Sequence, residues 1–316
     1  MHDDGDLTLD EKRVYADRSG KTEAYVASDI GVVVVELSAD LVGGFGVEHR
    51  CTARDVAAAD GRVAVAADEG VFVTADGSAA DDGSAADDGS VTDDDDEGAF
   101  ADAPAASSDD AFADAAFAFG PAVAVGFHAG DLLAAAADGT VARLAAADGT
   151  VARLAAADRD PEGGDWEVLG EVGEVRAVDG PLVAAADGVY RVGDGLSHAG
   201  LSDVRDVAGA GIPLAATATG LYSLGNGWMD DLDGAFTAVD SDGRRAHAAA
   251  GESVYAREGT DWRPVDLPTD GAVVGFAYGP GLTAAVTDGG RFLVSAGDGW
   301  RTQALGLRNV TGLAIG

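Results

Sequence analysis

Three arginines stand at one equivalent position of a repeating cassette: Arg54, Arg176 and Arg205. Two are followed directly by a carboxylate, as Arg54-Asp55 and Arg205-Asp206. The other copies of the cassette place Val125, Thr237, Val274 and Thr311 there. A guanidinium presents a planar fork of donors that matches a carboxylate or phosphate with two parallel hydrogen bonds. Brought to one level, three of them would form a cationic collar for an anion or an acidic peptide. The competing use is structural, with each arginine pairing with an aspartate of its own or the next repeat. Arg54, Asp55, Arg176, Arg205 and Asp206 are therefore the candidate ligand-binding residues. Asp179, Asp240 and His128 stand nearby in the alignment.

The remaining chemistry is sparse. There is no glycine-rich phosphate loop, no nucleophile elbow and no His-Glu-x-x-His. The five histidines, His2, His49, His128, His198 and His247, never fall at metal-ligand spacing. Glu48-His49-Arg50-Cys51 offers an acid, a base and a thiol in one run, on a connection between repeats that could reach one mouth of a ring. Its plainer reading is a polar link with a small buried cysteine. No catalytic set, metal site or cofactor is expected. Carboxylates are so abundant that a catalytic pair cannot be singled out.

The elements that position these residues come from the cassette. It reads apolar strand, small-residue strand, Asp-Gly-type turn, aromatic strand, Gly-Asp-Trp. One copy runs Val204-Arg205-Asp206-Val207, Pro213-Leu214-Ala215-Ala216, Thr219-Gly220-Leu221-Tyr222, Gly227-Trp228. Aligning the last large apolar residue of each first strand gives seven positions: Val56, Phe127, Val178, Val207, Val239, Phe276 and Leu313. A hairpin follows each, with turns such as Asp138-Gly139, Asp187-Gly188 and Asp288-Gly289. Asp-Gly between apolar runs is a strong hairpin signal, on the expectation that both turn residues take positive φ. Trp166, Leu196, Trp228, Trp262 and Trp300 mark the outer strand. One large apolar residue per unit suits packing between neighbouring sheets.

A period of about 30 to 45 residues implies a radial or stacked repeat. The chain begins its pattern on a second strand, Glu23 to Ser28, and ends it on a first strand, Asn309 to Ile315. The last strand can therefore complete the sheet opened by the first, a closure that protects sheet edges. The predicted fold is all-β: a seven-bladed β-propeller closed by pairing of the C-terminal strand with the N-terminal blade. Residues 1–22 read as an N-terminal lead and 23–316 as a single propeller domain. An insert at about 74–115 is rich in Ala, Asp, Ser and Gly and includes Asp93-Asp94-Asp95-Asp96-Glu97. It cannot bury enough apolar surface to offset its ordering entropy, so a disordered acidic loop is expected there. Residues 138–147 recur identically as 148–157. Two equal cassettes then compete for one strand slot.

Ser295-Ala296-Gly297-Asp298-Gly299-Trp300 resembles a degenerate Asp-box. The chain as a whole resembles a single-domain β-propeller family of salt-loving archaea, on Asp10-Glu11-Lys12-Arg13-Val14-Tyr15, Glu48-His49-Arg50-Cys51, Leu224-Gly225-Asn226-Gly227-Trp228-Met229-Asp230 and the blade motifs. The resemblance covers nearly everything outside the insert. It implies the propeller fold and brings no activity with it.

The formal net charge is −36, with 56 acidic residues against 20 basic ones, and Lys12 and Lys21 are the only lysines. Such a charge strains a chain by self-repulsion unless salt screens it, and at 1 M the Debye length is about 3 Å. A halophilic, archaeal cytoplasm is the expectation. Cys51 is the single cysteine and cannot form an internal disulfide. The polar, acidic start of the chain lacks an apolar signal region, and no run of about 18 apolar residues occurs, so no membrane association is expected. Nucleic acid is not an expected partner; a protein or a small anion is, with the chain a monomer. The function expected from sequence is a non-catalytic interaction or scaffold module that binds at the channel mouth. The alternative is a hydrolase or lyase acting on a carbohydrate-like substrate there, which a raised carboxylate pKa near the channel would favour.

Overall fold

A computed structural model describes residues 22–74, 111–145, 166–297 and 299–316. Alternating apolar residues between glycine-bearing turns build seven four-stranded antiparallel sheets. Blade 2 comprises β4 (Ala53–Ala59), β5 (Arg62–Ala67), β6 (Gly70–Thr74) and β7 (Phe112–Asp114), and blade 3 comprises β8 (Ala122–His128), β9 (Asp131–Ala136), β10 (Thr140–Leu144) and β11 (Trp166–Glu171). Blade 4 is β12 (Val175–Asp179), β13 (Leu182–Ala185), β14 (Gly188–Val192) and β15 (Leu196–Gly200). Blade 5 is β16 (Val204–Ala208), β17 (Leu214–Thr217), β18 (Gly220–Leu224) and β19 (Trp228–Asp233). Blade 6 is β20 (Ala238–Ser241), β21 (Ala246–Ala250), β22 (Ser253–Glu258) and β23 (Asp261–Val265). Blade 7 is β24 (Val273–Gly279), β25 (Leu282–Thr287), β26 (Arg291–Ser295) and β27 (Arg301–Ala304).

Blade 1 joins the two ends of the chain. Its strands run β28 (Gly312–Ile315), β1 (Thr22–Ser28), β2 (Gly31–Ser38) and β3 (Leu41–His49). β28 pairs antiparallel with β1, setting Ala24 opposite Ile315 and Ala27 opposite Gly312. The seven-bladed propeller closed by its terminal strands is the fold expected from sequence.

The alanine-rich second strands have a packing reason. Ala134, Ala135, Ala184, Ala185, Ala215, Ala216, Ala248, Ala249, Ala284 and Ala285 are completely buried. Sheets of a ring converge toward its axis, so only small side chains fit between them there. Farther out the gap widens and tryptophans fill it. Trp166 Nε1 donates to the Ala115 carbonyl at 2.9 Å, Trp228 Nε1 to the Ala199 carbonyl at 2.9 Å, and Trp262 Nε1 to Asp231 at 2.9 Å. Each acceptor belongs to the preceding blade, so the Trp register joins neighbouring sheets.

The turns differ from expectation in one respect. Both residues take positive φ in the first hairpin, at Asp60-Gly61 and Ala129-Gly130. In the Asp-Gly turns between second and third strands of blades 3 and 4, only the glycine does so, as at Gly139 with φ +96°, while in blade 7 it is Gly290, one residue past Asp288-Gly289. Its reason is close approach: a Cβ on Gly139 would sit 2.2 Å from the Val172 carbonyl, and one on Gly31 2.0 Å from the His49 carbonyl. The aspartate side chain does the local work, with Asp138 accepting from the Thr140 N–H at 2.9 Å.

Of the insert read at about 74–115, residues 75–110 lie outside the described residues, as do the lead through residue 21 and the second copy of the duplication, 148–157. Within the insert span, β7 forms the outer strand of blade 2, and Phe112 is buried. The first copy of the duplication supplies β10, paired on both sides by β9 and β11. No helix among the described residues is long and apolar enough to cross a membrane.

Candidate functional site

The innermost strands of all seven blades line a cavity of about 710 Å³ on the ring axis. The level at which the arginines meet it is set by a β-bulge. In β4 the register jumps from Ala53 to Asp55, which leaves Arg54 as the unpaired residue. The same jump leaves Arg176 unpaired in β12 and Arg205 in β16. A bulge adds one residue to a strand and re-aims its side chain. It occurs again at Val123 in β8 and Val274 in β24.

This geometry corrects the sequence alignment in blade 3. Val123 is the equivalent of the arginines, and Val125, not Phe127, is the equivalent of Val56 and Val178. The strand reads Ala-Val-Ala-Val-Gly-Phe, apolar throughout, and a slip of two residues keeps every side chain on its own face. Phe127 lies farther along the channel with Tyr278 and Ile315, four residues past the bulge level, and all three line the cavity. The Arg62 guanidinium covers the Phe127 ring at 4.8 Å.

All five predicted site residues line this one cavity. The three arginines are not equivalent in their bonding. Arg54 grips Asp68, in the turn of its own blade, through Nε and Nη2 at 2.7 Å each. That hydrogen bond holds the Asp68 carboxyl below the usual range. Arg176 reaches the next blade, with Nη1 2.6 Å from Asp203 and Nε 3.6 Å from Glu174. Arg205 has no hydrogen bond or ion pair among the described residues. It acts on Asp203 only through its charge, adding to the lowering that the Arg176 hydrogen bond produces.

One residue past the bulge, Asp55 and Asp206 play matching parts. Asp55 accepts from the Val56 N–H at 2.8 Å and from the Val125 N–H of the next blade at 3.0 Å. Asp206 accepts from the Val207 N–H at 2.9 Å and from the Val239 N–H of the next blade at 2.8 Å. An innermost strand has one unpaired edge, and its N–H groups need acceptors. The aspartates supply them and tie adjacent blades together. Asp179 does likewise for the Gly209 N–H at 2.6 Å, and Asp240 accepts from the Ser241 N–H at 2.6 Å.

These four carboxylates keep a little surface toward the channel but have protein on all other sides. Burial pushes Asp55 up to about 7, against the pull of its two N–H donors. Burial likewise pushes Asp206 up to about 8, with the charges of Asp55 and Asp179 adding to it. Asp179 is raised by burial, and Asp240 is raised well above its ordinary value by burial and the charge of Asp179.

Sequence reasoning noted Asp179 and Asp240 but left them outside the site, and it missed Tyr278. The Tyr278 hydroxyl donates to the Asp240 carbonyl at 3.0 Å and lies 2.9 Å from His247 Nδ1. With its one proton so committed, it accepts from Nδ1–H. Burial and then Arg245 lower His247 to about 4, so its ring is neutral. The bulge-based register was the signal that would have found these residues, since it sets Asp179 and Asp240 at one level and Tyr278 and Phe127 at the next.

His49 ends the outer strand β3 and packs on Phe72 at 4.5 Å and Phe112 at 5.4 Å, within the interface to blade 2. Glu48, His49, Arg50 and Cys51 are not among the residues lining the cavity. Among the described residues, no group of three or more His, Cys, Asp or Glu side chains could hold a metal ion.

A family model described as Beta-prop_HVO_0234-like, beta propeller, matches residues 8–316. Curated proteins gave no match. Among solved structures, the WD40 β-propeller domain of Doa1 superimposes with a TM-score of 0.58 at 14% identity, covering 88% of this chain and 89% of its own. The computationally designed protein Ika8 gives 0.53 at 16% identity, covering 93% and 91%. AztD from Citrobacter koseri gives 0.51 at 9% identity, covering 94% and 98%. At such identities the likeness is one of fold alone.

Proposed function

The chain belongs to this HVO_0234-like β-propeller family, and from that premise we propose that it is a non-catalytic interaction module whose channel mouth takes an anionic group, a carboxylate or phosphate carried by a protein or a small ligand. The observation that carries this reading is Arg205. It lines the cavity, at the level of two other arginines, in a chain of net charge −36, and its side chain makes no ion pair among the described residues. Arg54 and Arg176 already hold carboxylates. Those pairs neutralise the two charges and hold the rim in place, while Arg205 supplies the fork for the ligand. Thr237 and Thr311 stand at the same level, but their hydroxyls donate to the Ala249 and Ala53 carbonyls at 3.4 and 3.3 Å.

The working environment in this reading is a halophilic, archaeal cytoplasm. At molar salt only contacts within a few ångströms survive screening. A site there needs direct bidentate contact, because long-range attraction is lost.

A second reading, a hydrolase or lyase on a carbohydrate-like substrate, draws on the raised carboxylates Asp55 and Asp206. Against it stands their bonding. Each places its two oxygens on backbone N–H groups of its own and the next blade, a structural use that leaves no oxygen dedicated to a substrate.

The test is calorimetric titration of a short glutamate-rich peptide into the full chain at multimolar potassium chloride. Saturable binding is expected, and Arg205→Gln is expected to weaken it about tenfold or more, the loss of a charge-assisted bidentate contact, with no change in melting temperature. Equal binding by the variant, or no binding by the natural chain, would overturn the reading. Turnover of a glycoside panel that Asp206→Asn abolishes would favour the enzyme.

A further inference from the structure

Asp203 stands immediately before β16, between two of the arginines. Its backbone is held from both sides. The N–H donates to the Ala186 carbonyl at 2.8 Å, and the carbonyl accepts from the Ala218 N–H at 3.2 Å. The residue sits at φ +49°, in the left-handed region that aspartate, asparagine and glycine tolerate best. Two places before the bulge level, blades 4, 5 and 6 carry Glu174, Asp203 and Ala235. This register explains why one guanidinium is paired and its neighbour is not. Arg176 reaches forward to the next blade and finds Asp203, with Nη1 2.6 Å from the carboxylate. The corresponding place ahead of Arg205 holds Ala235, which offers no acceptor. Asp203 is thus bonded to Arg176 and also lies in the field of Arg205, whose charge helps to lower it. Half of its side chain is exposed, so ligands at the mouth can reach it.

We propose that Asp203 is the resident anion of the channel mouth, a tethered carboxylate that occupies the Arg176 fork and restricts an incoming anion to the single fork of Arg205. The inference rests on the reading of the mouth as an anion site and adds the residue that sets its affinity. Arg176 and Arg205 line one cavity at one level on adjacent blades. The carboxylate between them is chemically the same as the ligand, so it competes with it directly. Being part of the chain, it competes at an effective concentration on the order of millimolar, and a weaker ligand leaves it in place. Without that carboxylate, Arg176 retains the Val204 carbonyl at 3.3 Å on Nη1, while Glu174 at 3.6 Å from Nε is beyond hydrogen-bond reach. Nε and Nη2 are then open. An anion with three or more oxygens, such as phosphate, can span both guanidinium groups by charge-assisted hydrogen bonds. At molar salt the Debye length of about 3 Å screens the bare loss of a negative charge. A gain in affinity there has to come through the released fork.

Titration of inorganic phosphate into the full chain at fixed multimolar potassium chloride, followed on the arginine Nε–Hε resonances, tests this. In the natural chain Arg205 is expected to shift and Arg176 to stay. Asp203→Asn is expected to bind phosphate about tenfold more tightly, with Arg176 now shifting alongside Arg205. Asparagine suits the left-handed φ and keeps the side-chain shape, so the fold is expected to stand; Asp203→Gly, equally suited to that φ, takes its place if a melting curve shows otherwise. Adding Arg176→Gln to Asp203→Asn is expected to cancel the gain. Equal phosphate affinity in Asp203→Asn and the natural chain, or a gain that survives Arg176→Gln, would overturn the proposal and leave the anion site standing. Phosphate that shifts neither arginine in either chain would overturn the anion site and this inference together.

Discussion

At the scale of single residues, the channel carboxylates carry most of the consequences. Asp55 and Asp206 hold a proton more tightly in the folded chain than in the unfolded one, because burial penalises their charge. Between the unfolded value near 4 and the folded values of about 7 and 8, the folded state binds more protons, so stability falls as pH rises. His247 acts in the opposite sense. Lowered to about 4 by burial and Arg245, it opposes folding only below its unfolded value of about 6.5. From about pH 6.5 to 9 the raised carboxylates therefore act without opposition from His247, and ordinary carboxylates are already ionised there. Stability is expected to fall across this range by on the order of 1 kcal/mol per carboxylate after allowance for their contact with channel water, and the melting temperature with it. Asp206→Asn is expected to flatten the profile even if it lowers stability overall through the lost N–H acceptor. Thermal melts at fixed salt check this; a flat profile for the natural chain, or an unchanged slope in the variant, would refute it. The alignment set three arginines and two aspartates together, and all five line the cavity. It could not foretell which guanidinium is free, because Asp68 and Asp203 reach Arg54 and Arg176 from a turn and from the next blade.

At the scale of elements, the strands and their order were legible because alternation and glycine turns repeat seven times, and repetition averages out local ambiguity. The blade 3 inner strand shows where that stops. Ala122 to Phe127 is apolar at every position, so nothing in its pattern distinguishes Val125 from Phe127 as the aligned residue. Only the bulge at Val123 does, and a bulge arises from pairing rather than from composition. The Asp-Gly turn was likewise recognised for a partly different reason than the one that applies. Its glycine is needed because the chain leaving the outer strand passes directly over it. Gly139→Ala would put a Cβ 2.2 Å from the Val172 carbonyl at φ +96°. A loss of about 2–4 kcal/mol is expected, from backbone strain combined with displacement of the connection after β11. Denaturant unfolding measures it, and a loss below about 0.5 kcal/mol would mean the connection moves aside freely.

At the scale of the whole molecule, ring closure makes one cavity of seven separate strands. Closure was legible from the order of the ends alone, since a chain that starts on a second strand and stops on a first must join them to avoid an open edge. The graded lining of the channel was not legible, because it needs all seven registers at once: arginines and threonines at the bulge level, carboxylates beneath them, and Phe127, Tyr278 and Ile315 beyond. The proposed anion site depends on that gradation, which lets Arg205 face a mouth while the carboxylates stay occupied with backbone N–H groups. The most direct measurement is an NMR titration that follows the side-chain Nε–Hε resonances of the arginines as inorganic phosphate is added at constant ionic strength. The expected result is a saturable shift of Arg205 with Arg143, which is paired with Glu167 on blade 3, left in place. An Arg205 resonance that does not move, or that moves only in step with Arg143, would contradict the assignment of the channel mouth as an anion site.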